Sequence, residues 1–269
     1  MSQNWIFIIG CYNSGTTLLD RILRQHEAIA GLPNEGQFLT NALITPKSVG
    51  VPRLWAEKEP LFRFLPGEKS LEAAQVKQDW IRSLDNPLAP FILEKSPPNT
   101  ARTLWLQHNF DQAHFIHIVR NGYAVAQGIH DKVLAVYGTM PNLLEKAAHQ
   151  WVRSLEIVLE DAPKLANFLE IRYEDLTANP TTVMAQILDF LGLPPLPSSV
   201  LQQKYTIHDL QSLIKNQNPQ RLSKLTETQK QIIYNQAGKL LYDYGYSDKK
   251  PNLLRSFLQN LLSFKSSPI

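Results

Sequence analysis

The stretch "IIGCYNSGTTLLDRIL" (residues 8–23) decides the fold. An apolar run meets Gly10, four residues follow, and then come Gly15, two threonines and a helix-type segment. A buried strand turning through glycines into a helix aims backbone N–H groups and the positive end of the helix dipole at an anion. The spacing is that of a nucleotide P-loop, G-x-x-x-x-G-K-[ST], with Thr16 in the place of the lysine. In triphosphate enzymes that lysine meets the β/γ-phosphates and a neighbouring hydroxyl holds Mg²⁺. Thr16 cannot supply the charge, so a ligand with fewer charges at this end fits better. A nucleoside 5′-phosphosulfate is one, because its sulfuryl group carries a single negative charge. The plain alternative is an ordinary βα turn capped by its own Ser and Thr hydroxyls.

Outward from the loop, "FILEKS" (91–96), "AHFIHIVR" (113–120) and "NFLEIRY" (167–173) read as further buried strands. Helical patterns over 99–109, 121–137, 143–160, 179–193 and 226–244 alternate with them or follow them. Strands alternating with helices predict an α/β protein, a P-loop-type three-layer sandwich with a central parallel β-sheet flanked by helices. A single domain over 1–250 is expected, with 41–90 as a helical or irregular insertion that either shapes an acceptor pocket or merely connects. Residues 251–269 form a separate tail. In it, 252–264 place Leu253, Leu254, Phe257, Leu258, Leu261 and Leu262 on one helical face, suited to the domain, a second subunit or a membrane surface.

Composition narrows the class. The 269 residues are 43% hydrophobic and 19% charged, values of an ordinary globular chain long enough for a sizeable core. Cys11 is the only cysteine, which excludes an internal disulfide and a thiolate metal cluster within one chain. "WIFIIG" is too short for a secretory signal and lacks a basic flank, so a cytoplasmic protein is expected. Residues 1–200 carry 17 Lys/Arg against 20 Asp/Glu, whereas 201–269 carry 10 against 4. A basic C-terminal quarter suits an anionic ligand, a nucleic acid or a membrane surface, or is simply a solvated helical face.

Three more stretches bear chemistry. Arg120 closes a predicted strand at its carboxyl end, where ligands of open α/β sheets collect. Gly128 and Lys132 lie one turn apart on the helix that follows, so Arg120 and Lys132 form a candidate phosphate grip. Lys95 also ends a strand and is a candidate for neutralising developing negative charge. Tyr173 ends a third and is either a base-stacking ring or a packed tyrosine.

Taken in order, these stretches resemble the sulfotransferases that use 3′-phosphoadenosine 5′-phosphosulfate, in the branch of the tyrosylprotein and related bacterial enzymes. The likeness spans roughly residues 4–245. "IIGCYNSGTTLLDRILRQHEAIAGLPNE" resembles the family's 5′-phosphosulfate loop and catalytic-glutamate segment, and "FIHIVRNGYAVAQGI" its 3′-phosphate segment. "EKSPPN" and "IRYEDLTANPTTVMAQILDFLGL" resemble its later signatures, and "RLSKLTETQ" its closing Ser-Lys segment. The resemblance implies that Ser14, Gly15, Thr16 and Thr17 hold the 5′-phosphosulfate, and that Arg120 with Lys132 holds the 3′-phosphate. It makes Tyr173 a nucleotide contact, Glu35 the general base, Lys95 the sulfuryl-stabilising lysine, and Ser223 with Lys224 the closing pair. It implies no metal and no nucleic-acid partner, and an acceptor that is a carbohydrate, phenol, peptide or lipid headgroup.

Two positions depart from the pattern. Asn13 stands where the family usually has Arg or Lys, and Gly128 where it usually has a serine, eight residues after the arginine. The first removes a cation from the departing oxygen and leaves that role to Lys95, with neutral help from Asn13. The two departures motivate a second reading, a nucleotide-binding module without turnover. A P-loop kinase or GTPase is a third, opposed by Thr16.

Overall fold

The computed structural model describes residues 3–207 and 210–250. The tail assigned to 251–269 therefore lies outside the described residues. Strands β1 (Asn4–Ile9), β2 (Ile29–Gly31), β3 (Phe91–Lys95), β4 (Ala113–Val119) and β5 (Phe168–Arg172) form one sheet in the order β2-β3-β1-β4-β5. Every pairing in it is parallel. A short antiparallel pair, β6 (Tyr205–Ile207) and β7 (Leu210–Ser212), stands apart.

The helices are α1 (Thr16–Leu23), α2 (Ser70–Arg82), α3 (Thr103–Asn109), α4 (Gly122–Tyr137), α5 (Leu143–Asp161), α6 (Tyr173–Ala178), α7 (Pro180–Phe190), α8 (Ser198–Gln202), α9 (Asn218–Leu222) and α10 (Glu227–Asp243). β1 shows why they form layers. Trp5, Phe7 and Ile9 pack with Val76 and Trp80 of α2 and Trp105 of α3. Ile6 and Ile8 point the other way, onto Leu19 and Ile22 of α1 and Ile187 of α7. All five strand residues are fully buried, so both faces are covered and the strand reads as a continuous apolar run. A third cluster joins α4, α5 and α10 through Ile129, Trp151 and Ile233.

The α/β sandwich with a central parallel sheet is thus the observed architecture. Some elements differ from the sequence reading. The patterned helix at 99–109 begins as a 3₁₀ segment, Pro97–Arg102, and becomes α-helical only at Thr103, with Arg102 at φ −138° breaking the helical backbone between the two. Tyr173 does not end β5 but opens α6. β2 and the β6–β7 pair, each strand only three residues long, leave no period to read. Among the described residues no helix is long and apolar enough to cross a membrane.

Residues 41–90 are bound into the core and not appended to it. Trp55 and Phe62 join the α4–α5 cluster, and Phe64 joins the cluster beneath β1. Arg63 donates to both carboxylate oxygens of fully buried Asp161, at 2.5 and 2.7 Å, and to the Ala101 carbonyl at 3.1 Å. Thr103 Oγ1 donates to the same carboxylate at 2.6 Å. Removing one partner leaves an uncompensated buried charge, so Asp161→Ala is expected to destabilise the protein by about 3 kcal/mol or more. Urea unfolding monitored by tryptophan fluorescence measures it, and a loss below about 1 kcal/mol contradicts the assignment.

Candidate active site

β1 lies between β3 and β4, so the segments leaving the carboxyl ends of β1, β3, β4 and β5 converge at one edge of the sheet. Asn13, Gly15, Thr16, Thr17, Arg120 and Tyr173 line a cavity of about 520 Å³ there. That volume suits a nucleotide-sized ligand.

The loop after β1 enters through Asn13 at φ 64° and Gly15 at φ 101°, both in the left-handed region. A Cβ at Gly15 would stand 2.5 Å from the Tyr173 ring, so this position requires glycine twice over. Helix α1 starts at Thr16 and has no side-chain cap. The alternative of a turn closed by its own hydroxyls is therefore not what forms. The uncapped first-turn residues Thr16, Thr17 and Leu18 line the cavity, at the end of the helix that attracts anions. Ser14 is buried and is not part of the cavity wall.

Arg120 follows β4 and is only 6% exposed. Its Nε donates to Asn218 Oδ1 at 2.7 Å and its Nη1 to the Asn13 carbonyl at 2.8 Å. The guanidinium lies 3.9 Å from the Tyr173 ring centroid. Burial pulls it below its ordinary value, while Tyr173 and Glu174 oppose that pull. Its Nη2 is buried with no protein partner, although Arg120 lines the cavity. An orphaned cationic donor at a cavity wall is the mark of an anion site. Tyr173 lines the cavity too, with Arg120 over one face of its ring and Gly15 against its edge.

Asn13 and Gly128 prove to be neighbours. A Cβ at Gly128 would lie 3.1 Å from Asn13 Cγ and Nδ2, and that Nδ2 is itself buried without a partner. Lys132, one turn further along α4, lines the same cavity. Lys224 does as well, tied to Asp131 at 3.2 Å, with Arg221 on the same carboxylate at 3.3 Å. Ser223 is exposed at the end of α9, donates to the Gln220 carbonyl at 3.2 Å, and is not part of the wall.

Glu35 reaches the cavity from the segment after β2. Its Oε1 accepts from Lys95 Nζ at 2.7 Å and its Oε2 from Gln37 Nε2 at 2.6 Å. Lys95 stands behind Glu35 and is not itself in the wall. Sequence reasoning missed the supports. Asn218, which orients Arg120, donates to Glu174 Oε1 at 2.6 Å, and that oxygen also accepts from the Asn121 backbone at 3.0 Å. Tyr12 and Arg53 in the wall also went unread. An Asn or Tyr without a motif around it carries no one-dimensional signal.

Glu94 is the support beneath Glu35. It is fully buried on β3 and accepts from the Gly36 backbone N–H at 2.9 Å, from Ser96 Oγ and from Asn99 Nδ2. Burial pushes its carboxyl up to about 7, against the pull of those hydrogen bonds. A raised folded-state value means the folded protein holds the proton more tightly between about pH 4.5 and 7. Stability from this group is therefore full below that window and falls as pH rises through it. Glu94→Gln is expected to flatten the pH dependence of the urea midpoint between pH 5 and 8, and an unchanged slope contradicts the assignment.

The comparisons with known proteins agree with this geometry. Residues 5–197 match the model of a sulfotransferase family. A protein-tyrosine sulfotransferase A of Caenorhabditis elegans is 22% identical over 199 residues, covering 71% of this chain and 50% of its own length. An omega-hydroxy-beta-dihydromenaquinone-9 sulfotransferase of Mycobacterium bovis is 25% identical over 233 residues, covering 83% of this chain and 53% of its own. The chain thus spans about half the length of these curated relatives. The sulfotransferase domain of the Synechococcus PCC 7002 olefin synthase superposes with a TM-score of 0.56 at 21% identity, over 88% of this chain and 95% of that one. With a family model matched over most of its length and the fold shared with a solved member, the chain belongs to the sulfotransferase family.

Proposed function

We propose that the protein transfers a sulfuryl group from 3′-phosphoadenosine 5′-phosphosulfate to an acceptor hydroxyl, or an amine. The observation that carries the reading is one cavity bounded by the uncapped start of α1, by the orphaned Nη2 of Arg120 and by the Glu35 carboxylate. The names of both relatives specify hydroxyl compounds, a protein tyrosine and an omega-hydroxy-beta-dihydromenaquinone, which favours oxygen as the acceptor atom.

In this reading the N–H groups of Thr16 and Thr17 receive the 5′-phosphosulfate, and Arg120 with Lys132 receives the 3′-phosphate. Lys224 and Arg221 would leave Asp131 for the nucleotide. Glu35 takes the proton of the acceptor as its oxygen forms the new bond to sulfur and the bond from sulfur to the 5′-phosphate oxygen breaks. Lys95 holds the Glu35 carboxylate in place at 2.7 Å. Once Glu35 is protonated its hold on Lys95 weakens, and the ammonium charge becomes available to the oxygens where negative charge grows. Asn13, with its free Nδ2, offers those oxygens a neutral donor.

Labelled donor with a panel of hydroxyl acceptors tests the reading. Glu35→Gln is expected to lower kcat by roughly 10²-fold or more while leaving adenosine 3′,5′-bisphosphate affinity unchanged. Arg120→Lys, which cannot reproduce the fork, is expected to weaken bisphosphate binding about tenfold by calorimetry. Full transfer by Glu35→Gln removes it as base. Bisphosphate binding without transfer to any acceptor marks a nucleotide-binding module instead, and tighter magnesium-dependent ATP binding marks a kinase or GTPase.

A further inference from the structure

A second, smaller cavity opens beside the nucleotide-sized one. Its volume is about 120 Å³, and Tyr12, Glu35 and Arg53 belong to both walls. The Glu35 carboxylate thus stands where the two spaces meet. The remaining wall comes largely from 38–52, with Lys47, and from Tyr137 at the end of α4. A volume on the order of the ~150 Å³ that holds a benzene molecule admits a single ring or a short chain.

The charges in this wall are unbalanced. Glu35 is the only acidic residue among the described lining residues, and its charge is met by Lys95 at 2.7 Å. Arg53 and Lys47 make no ion pair among the described residues. Each instead lies near an aromatic ring of the same wall, the Arg53 guanidinium 5.3 Å from the centroid of Tyr12 and Lys47 Nζ 6.0 Å from that of Tyr137. Arg53 is half-buried and holds a backbone φ of 62°, a conformation that non-glycine residues rarely adopt outside constrained sites. Burial and the nearby Glu35 keep the Tyr12 phenol protonated, so no second anion offsets these cations. Two uncompensated cations at the mouth of a small, ring-walled space create a positive potential that an anionic group would satisfy.

We propose that this cavity is the acceptor subsite, and that it selects a small hydroxyl compound carrying an anionic group, a carboxylate or phosphate, which Arg53 and Lys47 bind while Glu35 faces the hydroxyl. The acceptor assignment rests on the sulfuryl-transfer reading above, whereas the preference for an anion rests on the wall alone. Arg53 and Lys47 are specificity-determining residues in this account, and aromatic bodies are accommodated between Tyr12 and Tyr137.

Two ligands that share a phenol and differ in charge separate the outcomes. Protein saturated with adenosine 3′,5′-bisphosphate is titrated calorimetrically with 4-hydroxyphenylacetate and with tyramine. The carboxylate is expected to bind at least about tenfold more tightly than the amine, and added salt is expected to weaken it. The double variant Arg53→Gln, Lys47→Gln is expected to lose that preference, an unchanged near-ultraviolet circular dichroism spectrum and urea midpoint serving as the control for folding. Equal affinities, preference for the amine, no binding of either, or a preference that survives in the double variant overturns the proposal. Sulfuryl transfer is assayed separately with labelled donor. Anion preference without transfer retires the enzymatic reading and leaves the anion site standing, whereas transfer without preference retires the anion site alone.

Discussion

The buried guanidinium of Arg120 is the constraint around which the site is arranged. A cation taken this far from water must have its donors engaged or its position is costly. Its neighbours come from distant parts of the chain: the Asn13 carbonyl after β1, Asn218 on α9 and the Tyr173 ring on α6. Asn218 is held in turn by Glu174, which also accepts from the Asn121 backbone and from the Tyr246 hydroxyl. Satisfying one charge therefore fixes the loop, the start of α4, α6 and the C-terminal segments relative to one another. One donor group, Nη2, is left without a protein partner on a residue that lines the cavity.

The second organising feature is a row of carboxylates at different depths. Glu94 is sealed beneath the sheet edge and works on backbone, holding Gly36 in place. Glu35, the residue next to that glycine, emerges into the cavity with Lys95 and Gln37 at its two oxygens. The deep carboxylate is pushed toward neutrality by burial, while the shallow one is paired with a cation. Two neighbouring acids thus have different surroundings, one buried among hydrogen-bond donors and one paired with a cation at the cavity.

Contact between Asn13 and Gly128 changes the meaning of both. Read along the chain they are two separate departures from the pattern of the family, 115 residues apart. In the fold they share one space, and a Cβ at position 128 would press on the asparagine amide. A small residue at one position accommodates the side chain at the other, so the two are coupled and not independent losses. Unlike an arginine or lysine, Asn13 brings no charge to this point, while Lys132 of α4 and Arg53 of the insertion are cations of the same wall.

Local physics made much of this legible in one dimension. Short runs rich in Ile, Phe and Val at 5–9, 91–95 and 113–119 read as buried strands, and helical patterns between them read as parallel crossovers. The tight turn into a helix was legible in the glycine spacing around Asn13 and Ser14, because left-handed backbone and a helix start are local properties. Residues that end strands, Lys95 and Arg120, were legible because parallel topology sends all such ends to one edge. What the chain alone did not disclose were the partners across long sequence separations. The Tyr173 ring packs against Gly15 and Arg120, Ser223 is exposed at the end of α9, and Lys95 pairs with Glu35 and is not in the cavity wall. These facts depend on which side chains meet after the sheet has assembled, and that is decided by packing and charge satisfaction in three dimensions, not by period or spacing.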